Sequence, residues 1–345
     1  MYEYYPWSKT TLKQCITDYK EGKLTILDLE LSGACNFKCK YCDSPDRNKG
    51  FSIETEKIES LLKNGQIRWI FICGLGEPTY GPNYEELIKI LKVAKRNGAK
   101  CSIFSNLSNL TKELLDYIDD EVLYILFKLD SFETKYIENL YGTKYPKSQL
   151  DNINKVVEHV VLRGGCTNLA ASIVPNQYNK DEIPDLVTWC SEHNVFPLIA
   201  ELEQAGNGKD VFDELSLNQE ELAKIKLDIL LKDAEEPRVP ICPAMISGVH
   251  VNHQGEITVD RATGFSCHWF WLKNPAIEKI GSFTDAAQWD DCVKRIIDYR
   301  ISRTENIKEQ IEQYNDEGTV FGGCGGAVKE LLLSHLALHG ECNER

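Results

Sequence analysis

The sequence predicts an α/β protein whose first two thirds alternate strand and helix six times, and whose last third breaks that rhythm. Three observations lead there. Short apolar runs rich in β-branched and aromatic residues recur along the chain, amphipathic stretches of helical period separate them, and the alternation stops near Glu235-Glu-Pro237-Arg-Val-Pro240. Repeated β/α units imply a parallel sheet with right-handed crossovers, whose functional residues lie on the loops after the strands.

Leu24 to Leu31 reads as the first strand, followed by strands at Trp69 to Cys73, Lys100 to Phe104, Leu123 to Leu129, Leu169 to Val174 and Phe196 to Glu201. Helices are expected near Ile53 to Asn64, Tyr84 to Asn97, Thr111 to Ile118, Leu150 to Arg163, Lys180 to His193 and Asn218 to Lys232. Domain boundaries follow: an extension over 1–23, a core over 24–235 and a second domain over 236–345. In that second domain Ile246 to His250 and Ile257 to Val259 flank a turn at Asn252-His-Gln-Gly255, which reads as a hairpin. A helix is expected over Asp285 to Glu312 and another over Val328 to His339.

The chain has 345 residues, 42% hydrophobic and 27% charged, an ordinary globular balance. Its 39 basic against 53 acidic residues give a net charge of −14, which argues against nucleic acid as a main partner and mildly favours cationic ones. The start carries no basic and apolar signal segment, and no apolar run is long enough to cross a membrane. A cytoplasmic setting is therefore expected. Thirteen cysteines in a reducing compartment point to metal binding or catalysis more than to disulfides. Cys15, Cys73, Cys101, Cys166 and Cys190 are expected to be small buried hydrophobes.

The informative cysteines are Cys35, Cys39 and Cys42, on the loop after the first strand. Soft thiolates select zinc or iron–sulfur clusters, and structural zinc wants a fourth ligand that Asp43-Ser-Pro-Asp-Arg does not supply. Three thiolates on a four-iron cluster leave one iron open for a bidentate ligand.

This Cys-x3-Cys-x2-Cys spacing, with Tyr41 before the last cysteine, resembles the radical S-adenosylmethionine (SAM) superfamily. The resemblance implies a partial (β/α)6 TIM-like barrel and a [4Fe–4S] cluster whose open iron binds SAM. It also implies a flavodoxin- or ferredoxin-type electron donor, whose electron cleaves SAM to methionine and a 5′-deoxyadenosyl radical. Tyr41 would lie beside the adenine. Cys73-Gly-Leu-Gly-Glu-Pro78 is similar to the family's Gly-Gly-Glu-Pro segment, with Leu75 in place of the first glycine. It implies that Gly76, Glu77 and Pro78 bind SAM, with Glu77 accepting from the SAM ammonium. Ser105 and Asn106 resemble the segment near the SAM methionine and ribose, with Leu107 where glycine is usual. Asp130 and Ser131 would reach the ribose hydroxyls or cap a helix, and Ser172 and Asn176 follow at the next strand end. Glu201 and Glu203, two apart on a strand, either face substrate in the barrel mouth or lie solvated.

The order Cys242, hairpin, Cys267, Ile280-Gly281-Ser-Phe283, Cys324 and Cys342 resembles the twitch or SPASM extension of that superfamily. It implies a second, auxiliary [4Fe–4S] cluster on those four cysteines. Asp260 stands where the family hairpin has a cysteine. A rival reading has Cys242, or Cys292, give a hydrogen atom to a substrate radical, with Asp260 completing the cluster. His250, His253 and His268 are further possible ligands, though such histidines are more often structural. The expected activity is epimerisation or cross-linking of a ribosomally synthesised peptide. Only about 23 residues precede the first strand, which leaves no room for a winged-helix leader-binding domain. The alternatives are a dehydrogenase or epimerase acting on an aminoglycoside, sugar or cyclitol, and a non-catalytic iron–sulfur redox protein.

Overall fold

A computed structural model describes residues 12–44, 53–163, 169–200, 202–232, 242–268, 277–285 and 288–306. The chain enters through α1 (Leu12–Lys20) and β1 (Ile26–Leu29), then runs α2 (Thr55–Lys63), β2 (Trp69–Ile72), α3 (Pro82–Arg96), β3 (Lys100–Ser105), α4 (Lys112–Asp119) and β4 (Leu123–Lys128). It continues α5 (Thr134–Tyr141), α6 (Pro146–Leu162), β5 (Leu169–Ile173), α7 (Ile183–Glu192), β6 (Phe196–Ile199), α8 (Gly208–Leu215) and α9 (Gln219–Lys232). The last third contributes α10 (Pro243–Ser247), β7 (Gly248–Val251), β8 (Glu256–Asp260), β9 (Ile277–Ser282) and α11 (Trp289–Ser302).

Every expected strand and helix of the first two thirds is present, within a few residues at its ends. Three helices went unpredicted: α1, α5 and α8. Each is short, at 9, 8 and 8 residues, and the latter two directly follow strand-end loops that had been read for site residues alone. The hairpin is also present, but Ile246 and Ser247 belong to α10 rather than to its first strand. Pro243 at the first turn of α10 supplies the helical φ that starts that turn.

The sheet runs in the order β6-β5-β4-β3-β2-β1-β7-β8-β9. Strands β1 to β6 pair in parallel in chain order. Right-handed crossovers between strands that advance in one direction put every connecting helix on the same face. That face is aliphatic: Leu27, Ile70, Ile103, Ile125 and Ala171 alternate onto it and are buried. The opposite, inner face carries Asp28, Phe71, Ser102 and Tyr124 in one register row, with Lys128 opposite Ser172 nearer the strand ends. The described strands form an open sheet with β6 and β9 at its edges. β7 pairs in parallel with β1, so the hairpin that begins the last third prolongs the core sheet rather than building a separate one.

Candidate active site

The cysteine loop leaves β1 through Glu30 and crosses the ends of the strands. Its three thiols are half-buried and unbridged. Three elements hold it. The C-terminal end of α5 accepts the Lys38 N–H at Tyr141 O (2.9 Å) and the Lys40 N–H at Leu140 O (2.8 Å). Phe37 stacks on Tyr141 with ring centroids 5.9 Å apart. After β6, Asn207 donates its backbone N–H to Cys42 O (2.8 Å) and its side-chain amide to Cys39 O (3.3 Å).

The third support is the loop after β2. Gly76 has φ +70, and a Cβ there would lie 2.1 Å from Ser32 O and 2.7 Å from Ala34 O, so only glycine lets the two loops touch. Asn83, in the first turn of α3, sews them together. Its Oδ1 accepts from Ser32 N–H (3.0 Å) and Ser32 Oγ (2.6 Å), while Nδ2 donates to the carbonyls of Ser32 (2.9 Å), Ala34 (3.1 Å) and Glu77 (3.2 Å). Asn83→Ala strands several of these buried groups. We predict a loss of about 2–4 kcal/mol and a chain that sheds iron faster than the parent, measured by denaturant unfolding and by chelator-trapped iron release.

Glu77 is buried, and its carboxylate brackets the loops after β2 and β3. Oε1 accepts from Thr79 N–H (2.9 Å), Thr79 Oγ1 (2.6 Å) and Ser105 Oγ (2.6 Å), and Oε2 accepts from Asn106 N–H (2.6 Å). Burial pushes its pKa up and these hydrogen bonds oppose that rise. Three of these bonds crowd Oε1 and one reaches Oε2, so Oε2 keeps acceptor capacity for a further donor. Asn106 also reaches the cysteine loop through Asn36 Oδ1 (3.1 Å). Leu107 has φ +52, the left-handed region, which gives the physical reason why glycine would suit this position.

Tyr41 and Asp130 meet across the inner side of the strand ends. The Tyr41 hydroxyl donates to Asp130 Oδ2. Asp130 Oδ1 accepts the Val174 N–H (2.7 Å), and Lys128 Nζ lies 3.4 Å from Oδ2. The Asp130 carboxylate is buried within the protein's own network. Ser131 is buried too, and its Oγ accepts the Glu133 N–H (2.9 Å), closing the turn that leads into α5. Lys128 lies over the rings of Tyr41 and Tyr141, at 4.4 and 4.8 Å. Ser172 is half-buried opposite it. Asn176 donates to Tyr136 Oη (2.7 Å) and Val174 O (2.9 Å), tying the strand end to α5.

Glu203 is half-buried in the loop that clasps the cysteines, and a Cβ on Gly208 would lie 2.2 Å from its carbonyl oxygen. Glu201, Cys166, Cys324 and Cys342 lie outside the described residues. Cys242 is the N-cap residue of α10, and the Cys267 thiol lies 3.3 Å from Met245 Sδ of the same helix. Cys292 is buried in the core, its thiol 3.6 Å from Ile280 O. Asp260 spends its carboxylate locally, on Ala262 N–H and on Thr263 N–H and Oγ1. Cys15, Cys101 and Cys190 are buried as expected, whereas Cys73 donates its thiol to Asp28 Oδ1 at 3.0 Å.

The donor set fits an iron–sulfur cluster. The Phe37 N–H donates to Cys35 Sγ at 3.4 Å, the kind of amide bond that stabilises a coordinating sulfur. Among the described residues the side chains packed closely enough to share a single ion are Glu30, His250 and His268, not the cysteine triad. Thiolates that each take a different iron need no such crowding. Burial pushes the Cys39 thiol up to about 12 and the Cys42 thiol to about 11. Both are therefore protonated at neutral pH before they ligate, and metal binding must release those protons. We predict that cluster affinity rises by about tenfold per pH unit for each thiol that ionises on binding, from pH 7 toward 9, and falls below pH 7. Chelator competition across that range checks it.

A parallel α/β sheet with a three-thiolate loop at its strand ends defines a cluster-binding enzyme. The chain carries a radical SAM domain: residues 29–190 match the profile of the Radical SAM superfamily. Its enzymes use a [4Fe–4S] cluster and SAM. The fold is similar to that of Streptococcus suis SuiB bound to S-adenosylmethionine, with TM-score 0.58, 17% identity, and coverage of 81% of this chain and 69% of that one. It is also similar to anSMEcpe with bound AdoMet and the Kp18Cys peptide (TM-score 0.55, 13% identity, 81% and 84% coverage). Among curated proteins, the GTP 3′,8-cyclase of Chlorobaculum tepidum is 23% identical over 201 residues, 57% of this chain and 59% of the relative. Mycofactocin maturase MftC of Mycolicibacterium smegmatis is 25% identical over 199 residues, 55% of this chain and 47% of the relative. The chain thus matches less than two thirds of the length of either. Among the described residues no helix is long and apolar enough to cross a membrane.

Proposed function

We propose that this radical SAM enzyme abstracts a hydrogen atom from a ribosomally synthesised peptide and so epimerises or cross-links it. The observation that carries the chemistry is the seating of the Cys35–Cys42 loop on the Gly76–Glu77 shelf. Three thiolates are held there beside a buried carboxylate bracket. When bound, the cluster and SAM supply reductive cleavage to a 5′-deoxyadenosyl radical. The chain's own residues orient and enclose. Cys35, Cys39 and Cys42 hold the cluster, and Gly76, Glu77, Pro78, Ser105 and Asn106 form the wall at the SAM amino-acid end. Tyr41, anchored by Asp130, backs the adenine side, and Lys128 and Ser172 line the inner face beyond.

The peptide assignment is supported by the similarity of fold to SuiB, solved with its precursor peptide SuiA (TM-score 0.53), and by the likeness to mycofactocin maturase. Residues 24–235 would form the core and 236–345 a twitch- or SPASM-like domain. There Cys242 and Cys267, brought to α10 together, would ligate an auxiliary cluster with Cys324 and Cys342. A flavodoxin- or ferredoxin-type protein would supply the electron, in the cytoplasm. A small-molecule substrate is the second reading, favoured by the likeness to GTP 3′,8-cyclases.

The test is to incubate the reconstituted enzyme with SAM, reductant and candidate substrates, following 5′-deoxyadenosine and product mass. Peptides encoded beside the gene are expected to raise 5′-deoxyadenosine and to shift in mass or stereochemistry. Stimulation by nucleotides, sugars or aminoglycosides instead would replace the peptide reading. Absence of SAM cleavage under every condition would overturn both.

A further inference from the structure

Beside the root of the thiolate loop, the fold gathers one carboxylate and three imidazoles from distant parts of the chain. Glu30 stands at the exit of β1, His250 lies on β7, His253 on the turn to β8, and His268 just beyond Cys267. Glu30, His250 and His268 are 1%, 0% and 8% exposed. The Glu30 Oε2 atom is occupied by His253, accepting its backbone N–H at 2.9 Å and lying 3.1 Å from its Nδ1. Oε1 is thereby turned toward His268 Nδ1 at 2.6 Å and His250 Nε2 at 3.4 Å. One donor atom from each of the three residues lies within 4.8 Å of the other two.

We propose that Glu30, His250 and His268 form a binding site for a divalent first-row transition ion of the zinc or ferrous class, separate from the iron–sulfur centres. Two imidazoles and a carboxylate are the donor set such ions take, whereas calcium and magnesium need a shell of oxygens. Ligand bonds of 2.0–2.2 Å in a tetrahedral site put neighbouring donor atoms about 3.3–3.5 Å apart. The Glu30–His250 edge already has that length. The Glu30–His268 edge is a hydrogen bond, and it opens by about 0.8 Å as His268 yields its proton to solvent and takes the ion.

The supporting shell is in place. His250 Nδ1 lies 2.6 Å from Thr258 Oγ1, which aims Nε2 inward. The His268 backbone N–H is held by Asp28 Oδ2 at 2.6 Å. Outer partners of this kind fix ring orientation in metal sites. The His268 ring also fills the space over Gly74, where a Cβ would come within 1.9 Å of it. An ion here would therefore tie the exit of β1 to β7 and to the segment after β8, with the His268 ring packed on the loop that precedes Gly76 and Glu77. The inference stands independently of the peptide reading.

Cobalt(II) titration of the full chain, with its clusters first reconstituted anaerobically, tests it. The expected result is one tightly bound equivalent with ligand-field bands of nitrogen and oxygen donors, no thiolate-to-cobalt charge-transfer band, and displacement by zinc. Glu30→Gln and His250→Gln should lose that equivalent with unchanged cluster iron, and Thr258→Val should weaken it about 10–100-fold. If those variants fail to fold, zinc-edge X-ray absorption on the parent protein decides, with nitrogen and oxygen neighbours at about 2.0–2.1 Å expected. No cobalt equivalent, a thiolate band, sulfur neighbours, or undiminished binding in a folded Glu30→Gln would each overturn the site.

Discussion

Cys39→Ala is expected to give a folded chain that binds no SAM-cleaving cluster and produces 5′-deoxyadenosine at background, a loss of roughly a thousandfold or more. The chain should stay folded because other contacts seat the loop. Lys38 and Lys40 bond to the end of α5, Phe37 stacks on Tyr141, and Tyr41 is held by Asp130. The residue as a whole is half-buried and its thiol forms no disulfide, so its truncation should cost no more than about 1 kcal/mol of stability in the apo chain. Iron and sulfide analysis after reconstitution, read beside the 5′-deoxyadenosine assay and circular dichroism, checks both halves. Cys242→Ala should keep SAM cleavage at least in part. A Cys39→Ala protein that still cleaves SAM would refute the assignment of the triad.

Gly76→Ala should be severely damaging for a single added methyl. Two effects add at this position. The backbone sits at φ +70, where an L side chain is strained, and the new Cβ would meet the Ser32 carbonyl oxygen at 2.1 Å. That neighbour is main chain three residues ahead of Cys35, so relief must come from moving the cysteine loop. Strain plus overpacking gives a destabilisation of roughly 3–5 kcal/mol, with loss of cluster retention in whatever fraction stays folded. Gly81→Ala is the control: it shares the positive φ, at 57°, but meets nothing within 4 Å, so only the strain remains. Equal effects from the two substitutions would mean that contact with the cysteine loop does not matter. Denaturant midpoints and iron content measure the difference.

How far these sites could be read in advance depended on how local their signals are. Cys35, Cys39 and Cys42 lie within eight residues of one another, so their spacing announces a shared ligand before any fold is known. The strand–helix alternation is also local, since burial of one face imposes its period along each segment. Asn83 is a different case. It follows an unremarkable Gly81-Pro82, and nothing near it reveals that its amide will bond to Ser32 and Ala34, about fifty residues earlier. Asn207 and Lys128 went unsingled for the same reason. Asp130 shows the converse. Its motif suggested ribose hydroxyls or a helix cap, and only the fold shows that its oxygens bond to the Tyr41 hydroxyl and to the Val174 N–H just after β5.

The histidines mark the limit most clearly. His250, His253 and His268 are scattered over nineteen positions, and their carboxylate partner lies more than two hundred residues upstream, so neither periodicity nor spacing connects them. The parallel pairing of β7 with β1 does, by carrying His250 to the register row of Asp28 and the hairpin turn to Glu30. Residue order along the chain was enough for the radical SAM core, because its thiolates and strand periods are short-range patterns. Which side chains meet across that core depends on strand pairing between remote segments, and those contacts come into being only when the sheet closes up and expels water from its inner face.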